Sequence, residues 1–410
     1  MDTSVYCRQG PKSMAAIKNR GLLSGYRFVF KDLFDVKGYV TGAGNPTWLT
    51  THAPATQTSP LITQLLKQGA YCSGRVQTSE LAYGFDGVNA HYGTAINPLA
   101  PKCQSGGSSS CSAAIARGDG DFALGIDTAG EIRISASYCG LFGLRTTHAA
   151  LPLAHSFSLA KSFDTAALLT RNLSVMGNVV AGLFTEQSPV EKLEDVFLLV
   201  EKSALALMDV QVKEELSNKL NKLARSRYIV STDSLIDMCA VSLAELGDWF
   251  SIIQGYELIQ EHSGWLAEYQ NSVAKDVSGR IDKSKKITKI EYTEAKQKAA
   301  HFSTLFMYLL NSKGGWLCLP TTPGLPPELK QAVNLLTDYQ KRLVGMTALA
   351  SLCGLPQLHL PLGKINGKPY GLSLIGLPNS EKRLIKQGQY LLQSLAENAG
   401  VNGDHSRVTA

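Results

Sequence analysis

The stretch Gly125-Ile126-Asp127-Thr128-Ala129-Gly130-Glu131-Ile132-Arg133-Ile134-Ser135-Ala136-Ser137-Tyr138-Cys139-Gly140 decides how this chain reads. It opens as an apolar run, breaks on Thr128-Ala129-Gly130 and resumes with small residues suited to a helix. Upstream lies Ser105-Gly106-Gly107-Ser108-Ser109-Ser110-Cys111-Ser112, then a small-residue helix over 113–117 and a strand over 121–126. Gly-Ser runs often form flexible linkers, and glycine-rich loops that open a helix can cradle phosphate. A linker does not fit a run that sits inside a strand-and-helix alternation and leads straight into a helix. A Walker-type phosphate loop is excluded, because no G-x-x-x-x-G-K-S/T is present.

Working outward, residues 27–30 and 71–76 read as strands. Between them, residues 59–68 have a serine start, leucines at helical spacing in Leu61, Leu65 and Leu66, and Gly69 to close. Such alternation predicts an α/β sheet covered by helices on both faces. The segment from about 172 to 310 is long, leucine-rich, poor in glycine and spaced as a set of helices. Strand patterns return over 316–319, 358–361 and 370–375. Neither sheet-forming flank looks like a closed core alone. The expectation is one domain over 1–410, with an N-terminal extension over 1–24 and a mostly helical insertion at about 172–310.

Composition narrows the function classes. The chain has 410 residues, 44% hydrophobic and 18% charged, as an ordinary globular protein does. Its net charge of +6 is spread along the whole length. The densest basic cluster, Arg280 to Lys298, alternates with Asp282, Glu291 and Glu294, so it reads as a solvated helix face and not a nucleic-acid surface. The eight cysteines show no CxxC pair, and the eight histidines no HExxH. No metal, cofactor or disulfide framework is expected. His91 sits in a loop and suits a structural hydrogen bond. The first twenty residues have no apolar run, and Met346 to Gly363 is broken by Gly354, Pro356 and Pro361. That reading gives a cytoplasmic protein with no membrane partner. No feature fixes an oligomeric state. Trp249, Tyr256 and Trp265 are spaced to pack a helix pair, with lining of a substrate channel as the other role.

The two quoted stretches resemble the amidase-signature family, whose pattern runs approximately GGSSGGSA, a spacer, then GTDTGGSIRxPAxxCGxxGxKPT. This sequence offers GGSSSCSA from Gly106 and GIDTAGEIRISASYCGLFGLRTT from Gly125. Lys31-Asp32-Leu33-Phe34-Asp35 looks like the family's KD-x-x-D segment, and Gly74-Arg75 with Glu80-Leu81-Ala82 like its GK/RT…E-x-A segment. His91-Tyr92-Gly93-Thr94 with Asn97-Pro98, and Leu319-Pro320-Thr321-Thr322-Pro323, follow in family order. Gly354-Leu355-Pro356 with Pro361-Leu362-Gly363 completes the run, and the resemblance spans about Gly25 to Leu391. Gly44-Asn45-Pro46 and Gln254-Gly255-Tyr256-Glu257 look closest to the short, plant indole-3-acetamide hydrolase-like branch.

The resemblance implies the amidase-signature fold, a mixed central sheet between helices, and hydrolysis of carboxamide C–N bonds by a Ser-cisSer-Lys triad. By motif position Lys31 falls on the lysine and Ser108 on the bridging serine, whose peptide bond with Gly107 the family holds cis. The amides of Thr128, Ala129 and Gly130 fall on the oxyanion hole, with Ser109 beside the substrate. Asp127 and Arg133 fall on a structural pair. The nucleophile's position holds Glu131. A carboxylate is a poor attacker of an amide, and it favours the charged form of Lys31. Loss of the serine from a hydrolytic triad is worth on the order of 10⁶ in kcat. Ser105, Cys111 and Ser135 also depart from the pattern, and the spacer is one residue short.

Two readings follow for an amide-like small-molecule ligand. One is a degenerate amidase, impaired or inactive by the serine route. The other is an active enzyme with a rewired site, using Cys111 or Ser109 as nucleophile or Glu131 as base for a water. An amidotransferase-type subunit fits less well, since no partner-docking extension is visible.

Overall fold

The computed structural model describes residues 2–18, 20–184, 196–226, 228–314 and 316–400. Its centre is one ten-stranded mixed sheet. The strands are β1 (Arg27–Lys31), β2 (Tyr71–Val76), β3 (Phe122–Asp127), β4 (Phe142–Arg145) and β5 (Thr165–Thr170), then β6 (Val196–Glu201), β7 (Tyr228–Asp233), β8 (Trp316–Pro320), β9 (Gln357–Ile365) and β10 (Lys368–Ile375). Their order across the sheet is β2-β1-β3-β5-β4-β9-β10-β8-β6-β7. The two ends are parallel, β2-β1-β3 and β8-β6-β7, and the middle is antiparallel. β3 and β5 are buried along their whole length, as strands covered on both faces are.

The helices α1 (Pro46–Thr51), α2 (Pro60–Lys67), α3 (Ser109–Arg117), α4 (Glu131–Cys139), α5 (Leu173–Leu183), α6 (Lys202–Ala206) and α7 (Val210–Ala224) interleave with these strands. They are followed by α8 (Leu235–Met238), α9 (Leu243–Tyr269), α10 (Lys275–Ser284), α11 (Lys289–Ser312), α12 (Val333–Leu352) and α13 (Glu381–Gly400). The long helices α9 and α11 both begin with a full capping box, Ser242 with Glu245 and Thr288 with Glu291. The expected α/β architecture, a mixed sheet with helices on its faces, is what the chain forms.

The range 172–310 is not helical throughout. It also carries β6 and β7, which extend the sheet beyond β8. Six-residue apolar runs such as Val196–Glu201 do not separate strand from helix by period alone. Residues 1, 19, 185–195 and 227 of the expected extension and insertion lie outside the described residues.

In α9, Trp249 meets Phe302 edge-on, Tyr256 stacks on Tyr292 at 4.2 Å and Trp265 leans on Trp48 at 5.1 Å. Tyr256 and Tyr292 also line an open cavity of about 380 Å³ with Ser162, Glu257 and Lys296. Among the described residues no helix is long and apolar enough to cross a membrane.

One buried side chain in the sheet makes stability depend on pH. His359 of β9 lies opposite Ser373 of β10 and is fully buried. Its Nδ1 shares a 2.6 Å hydrogen bond with the Thr321 hydroxyl, which also meets Ser373 Oγ at 2.7 Å. Its Nε2 has no partner. Burial pushes this imidazole down from 6.5 to about 3. The unfolded chain therefore takes up a proton that the folded chain refuses. The histidine's contribution is intact above pH 6.5 and is lost as pH falls toward 3, by about 1.4 kcal/mol per pH unit. His359→Leu should flatten the acid limb of urea-unfolding free energy between about pH 4 and 6 by one proton's slope. A variant with the native slope would refute this origin of the acid sensitivity.

Candidate active site

The site is assembled where β1, β3 and the starts of α3 and α4 meet. Lys31 ends β1, held between β2 and β3, and its side chain is fully buried. Nζ donates to Ser108 Oγ at 3.0 Å and to the Gly107 carbonyl at 3.2 Å. Burial lowers its pKa from 10.5, while Glu131, Cys111 and Asp127 pull it back up. Its neighbour Asp32 pairs with Arg75 of β2 at 3.3 Å, and Arg75 donates to the carbonyls of Val40 and Phe34. The lysine segment is thereby tied to the Gly74-Arg75 segment.

Ser108, 1% exposed, is the residue before α3. Its N–H donates to Ser135 Oγ at 2.9 Å. The expected cis bond between Gly107 and Ser108 is not formed. Among the described residues the one cis peptide is Gly10–Pro11. A cis bond before a non-proline residue costs about 3 kcal/mol. Here the trans form places the Ser108 N–H on a hydroxyl that a proline at position 135 would lack. Gly107 has no room for a side chain, since a Cβ there would lie 2.4 Å from the Gly84 carbonyl and 2.9 Å from Glu131 Cγ.

Glu131 is 2% exposed and opens α4. The preceding Gly130 has φ +112°, a value that favours glycine, and this turns the backbone so that neighbouring amides converge. What they converge on is the chain's own carboxylate. Glu131 Oε2 accepts from the Thr128 N–H at 2.8 Å and the Ala129 N–H at 3.0 Å. Burial raises this carboxyl's pKa, as does Asp127, and Lys31 with the amides lowers it. Lys31 and Glu131 make no direct ion pair. They interact across Gly107, whose carbonyl Lys31 holds and whose Cα side faces Glu131 Cγ.

The turn is braced from below. Asp127 bonds Arg133 at 2.7 Å and Arg145 at 3.2 Å, with all three side chains fully buried. Burial alone would raise Asp127, but the two guanidiniums hold it below its usual range. Arg133 also reaches Gln357 Oε1 and the Thr347 carbonyl. Thr128 donates its hydroxyl to Asp164 at 2.6 Å, and its carbonyl accepts from Ser351 Oγ. Burial pushes Asp164 up to about 6 against four donors. Arg145 and Asp164 escaped the sequence reading. Arg145 closes the quoted motif region and could have been found there, whereas Asp164 sits in no motif.

Among the described residues, neither of the other nucleophile candidates makes a hydrogen bond to a base. Cys111 is fully buried, and burial pushes its thiol up to about 12. Ser109 donates its hydroxyl to the Gly87 carbonyl at 2.9 Å. His91 bonds Glu80 at 2.6 Å, and Glu80 also accepts from Asn45 and from the Ala274 amide, pinning the motif loops to the segment before α10. Among the described residues no cluster of three or more His, Cys, Asp or Glu is placed to hold a metal.

The family model described as Amidase matches residues 7–219. Amidase 1 of Arabidopsis thaliana is 32% identical over 403 residues, covering 91% of this chain and 93% of that one. The chain belongs to the amidase family. The family is one of C–N bond hydrolases, and the mixed sheet described above is its fold. A solved structure described as the crystal structure of an amidase superposes with a TM-score of 0.82 at 26% identity, over 91% of this chain and 85% of that one. Translocon at the outer membrane of chloroplasts 64 of Pisum sativum is 29% identical, covering 92% of this chain and 68% of its own length.

Proposed function

We propose that this amidase-family protein does not hydrolyse amides by the Ser-cisSer-Lys route, because Glu131 stands at the nucleophile's position and fills the oxyanion donors itself. One observation carries the reading: Glu131 Oε2 on the Thr128 and Ala129 amides. An amide carbonyl polarised by those donors would have to displace a buried carboxylate. Lys31, in the role of base, has to be neutral, and Glu131 works against that. Rewired chemistry has less support. A thiol at about 12 supplies almost no thiolate, and Ser109 has a carbonyl where it would need a base.

What remains in this reading is a ligand- or partner-binding amidase fold of the indole-3-acetamide hydrolase-like kind. One relative is named for a chloroplast translocon, and that name agrees with the partner-binding use of the fold. The test is turnover of aryl acetamides by the native chain. The expected rate is that of buffer, unchanged in Lys31→Ala and Ser108→Ala. Native turnover abolished by either substitution would sink the proposal.

A further inference from the structure

The turn that Glu131 fills has the make-up of a carboxylate seat. Two backbone N–H groups converge on one oxygen at 2.8 and 3.0 Å. A second feature comes from another element. Lys31 enters from β1, fully buried, with two acceptors for the three protons of its ammonium, and its charge acts on Glu131 across Gly107. The charge balance points the same way. Lys31, Arg133 and Arg145 are buried cations, and both Asp127 and Glu131 act on them. Without Glu131 the cluster loses one of its anions, and an uncompensated buried charge is strongly unfavourable.

We propose that the Thr128 and Ala129 amides and Lys31 form a binding site for a small monocarboxylate, which Glu131 occupies as a tethered ligand and which admits a free acid when that side chain is shortened. The proposal rests on reading this turn as the oxyanion loop, and not on the absence of hydrolysis. It has a size rule. Glu131→Ala deletes Cγ, Cδ and both oxygens, which are the heavy atoms of acetate. Glu131→Ser puts a hydroxyl where Cγ stood and leaves the space of formate.

The experiment is thermal unfolding of native chain, Glu131→Ala and Glu131→Ser in sodium acetate, formate, propionate and chloride at equal ionic strength, with acetamide as neutral isostere. Ligand that binds only the folded state raises Tm saturably. Acetate should raise the Tm of Glu131→Ala by about 2 °C or more, with propionate and acetamide weaker and the native chain flat. Formate should outdo acetate on Glu131→Ser. Equal acetate shifts in native and variant chains, or chloride matching the carboxylates, would overturn the site. If the variants emerge unfolded, refolding from urea with and without the matching acid is read instead, and equal yields overturn it too. Turnover by the native chain would sink the loss of hydrolysis while leaving this result standing.

Discussion

Glu131→Ser is expected to hydrolyse a simple aryl acetamide at least about 10³-fold faster than the native chain. The substitution does three things at one position. It vacates the Thr128 and Ala129 amides, and a single oxyanion donor is typically worth about 10²–10³ in kcat. It places a hydroxyl at the start of α4, beside the turn. It also removes the largest influence that raises Lys31, so that burial pulls the amine further toward the neutral form that can take a proton. The three are one coupled change, so their factors do not multiply. A rise of activity with pH, levelling off below the usual lysine range, would mark Lys31 as the base, and Lys31→Ala in this background should return the rate to that of buffer. A folded Glu131→Ser without turnover would refute the expectation. The blame would then fall on Ser135, whose hydroxyl holds the Ser108 N–H in the trans loop.

The fold was legible because its signals are local. The expected strands 27–30, 71–76 and 121–126 and the helix 59–68 fall on β1, β2, β3 and α2. β4 and β5 were missed. Thr165–Thr170 is a short run buried on both faces with no alternation to read, and Phe142–Arg145 is four residues long. Within the site, the motif order brought Lys31, Ser108 and Glu131 to one place in the reading, and the structure holds them together. What sequence could not supply was direction. An ion pair between Lys31 and Glu131 is the obvious expectation for two opposite charges in one pocket. The backbone instead offers Glu131 two amides, and a charge-assisted bond to each satisfies the carboxylate without reaching Lys31. The Ser135 hydroxyl shows the same limit. As a residue type it reads only as a missing proline, and its hold on Ser108 is visible only with both loops in place.

The largest stability effect is expected at Asp127. Asp127→Ala removes the carboxylate shared by Arg133 and Arg145, all three of them at 0% exposure. Breaking a buried ion pair by deleting one partner is typically worth about 3–5 kcal/mol, because the remaining charge stays buried. Here two guanidiniums are stranded. Arg133 retains Gln357 and Thr347, and Arg145 retains the Phe163 and Asp127 carbonyls, so both stay anchored by hydrogen bonds but lose their counter-charge. Burial already pushes Arg145 down to about 10, which leaves little reserve. Loss of about 3–5 kcal/mol in urea unfolding at neutral pH, or failure to accumulate folded chain, is the expected result. Asp127→Asn, which keeps an acceptor of similar shape, should lose less than alanine but more than Glu131→Gln, because Glu131's main partners are neutral amides. The sign of the pH dependence separates the two positions. Asp127 is held below its usual range, so its contribution is present above pH 3.8 and fades as pH falls below it. Glu131 is raised, so ionising it opposes folding as pH climbs through its folded value. A native-like midpoint for Asp127→Ala, within about 0.5 kcal/mol, would mean that the arginines find other anions or water, and the cluster would no longer explain how the turn is held.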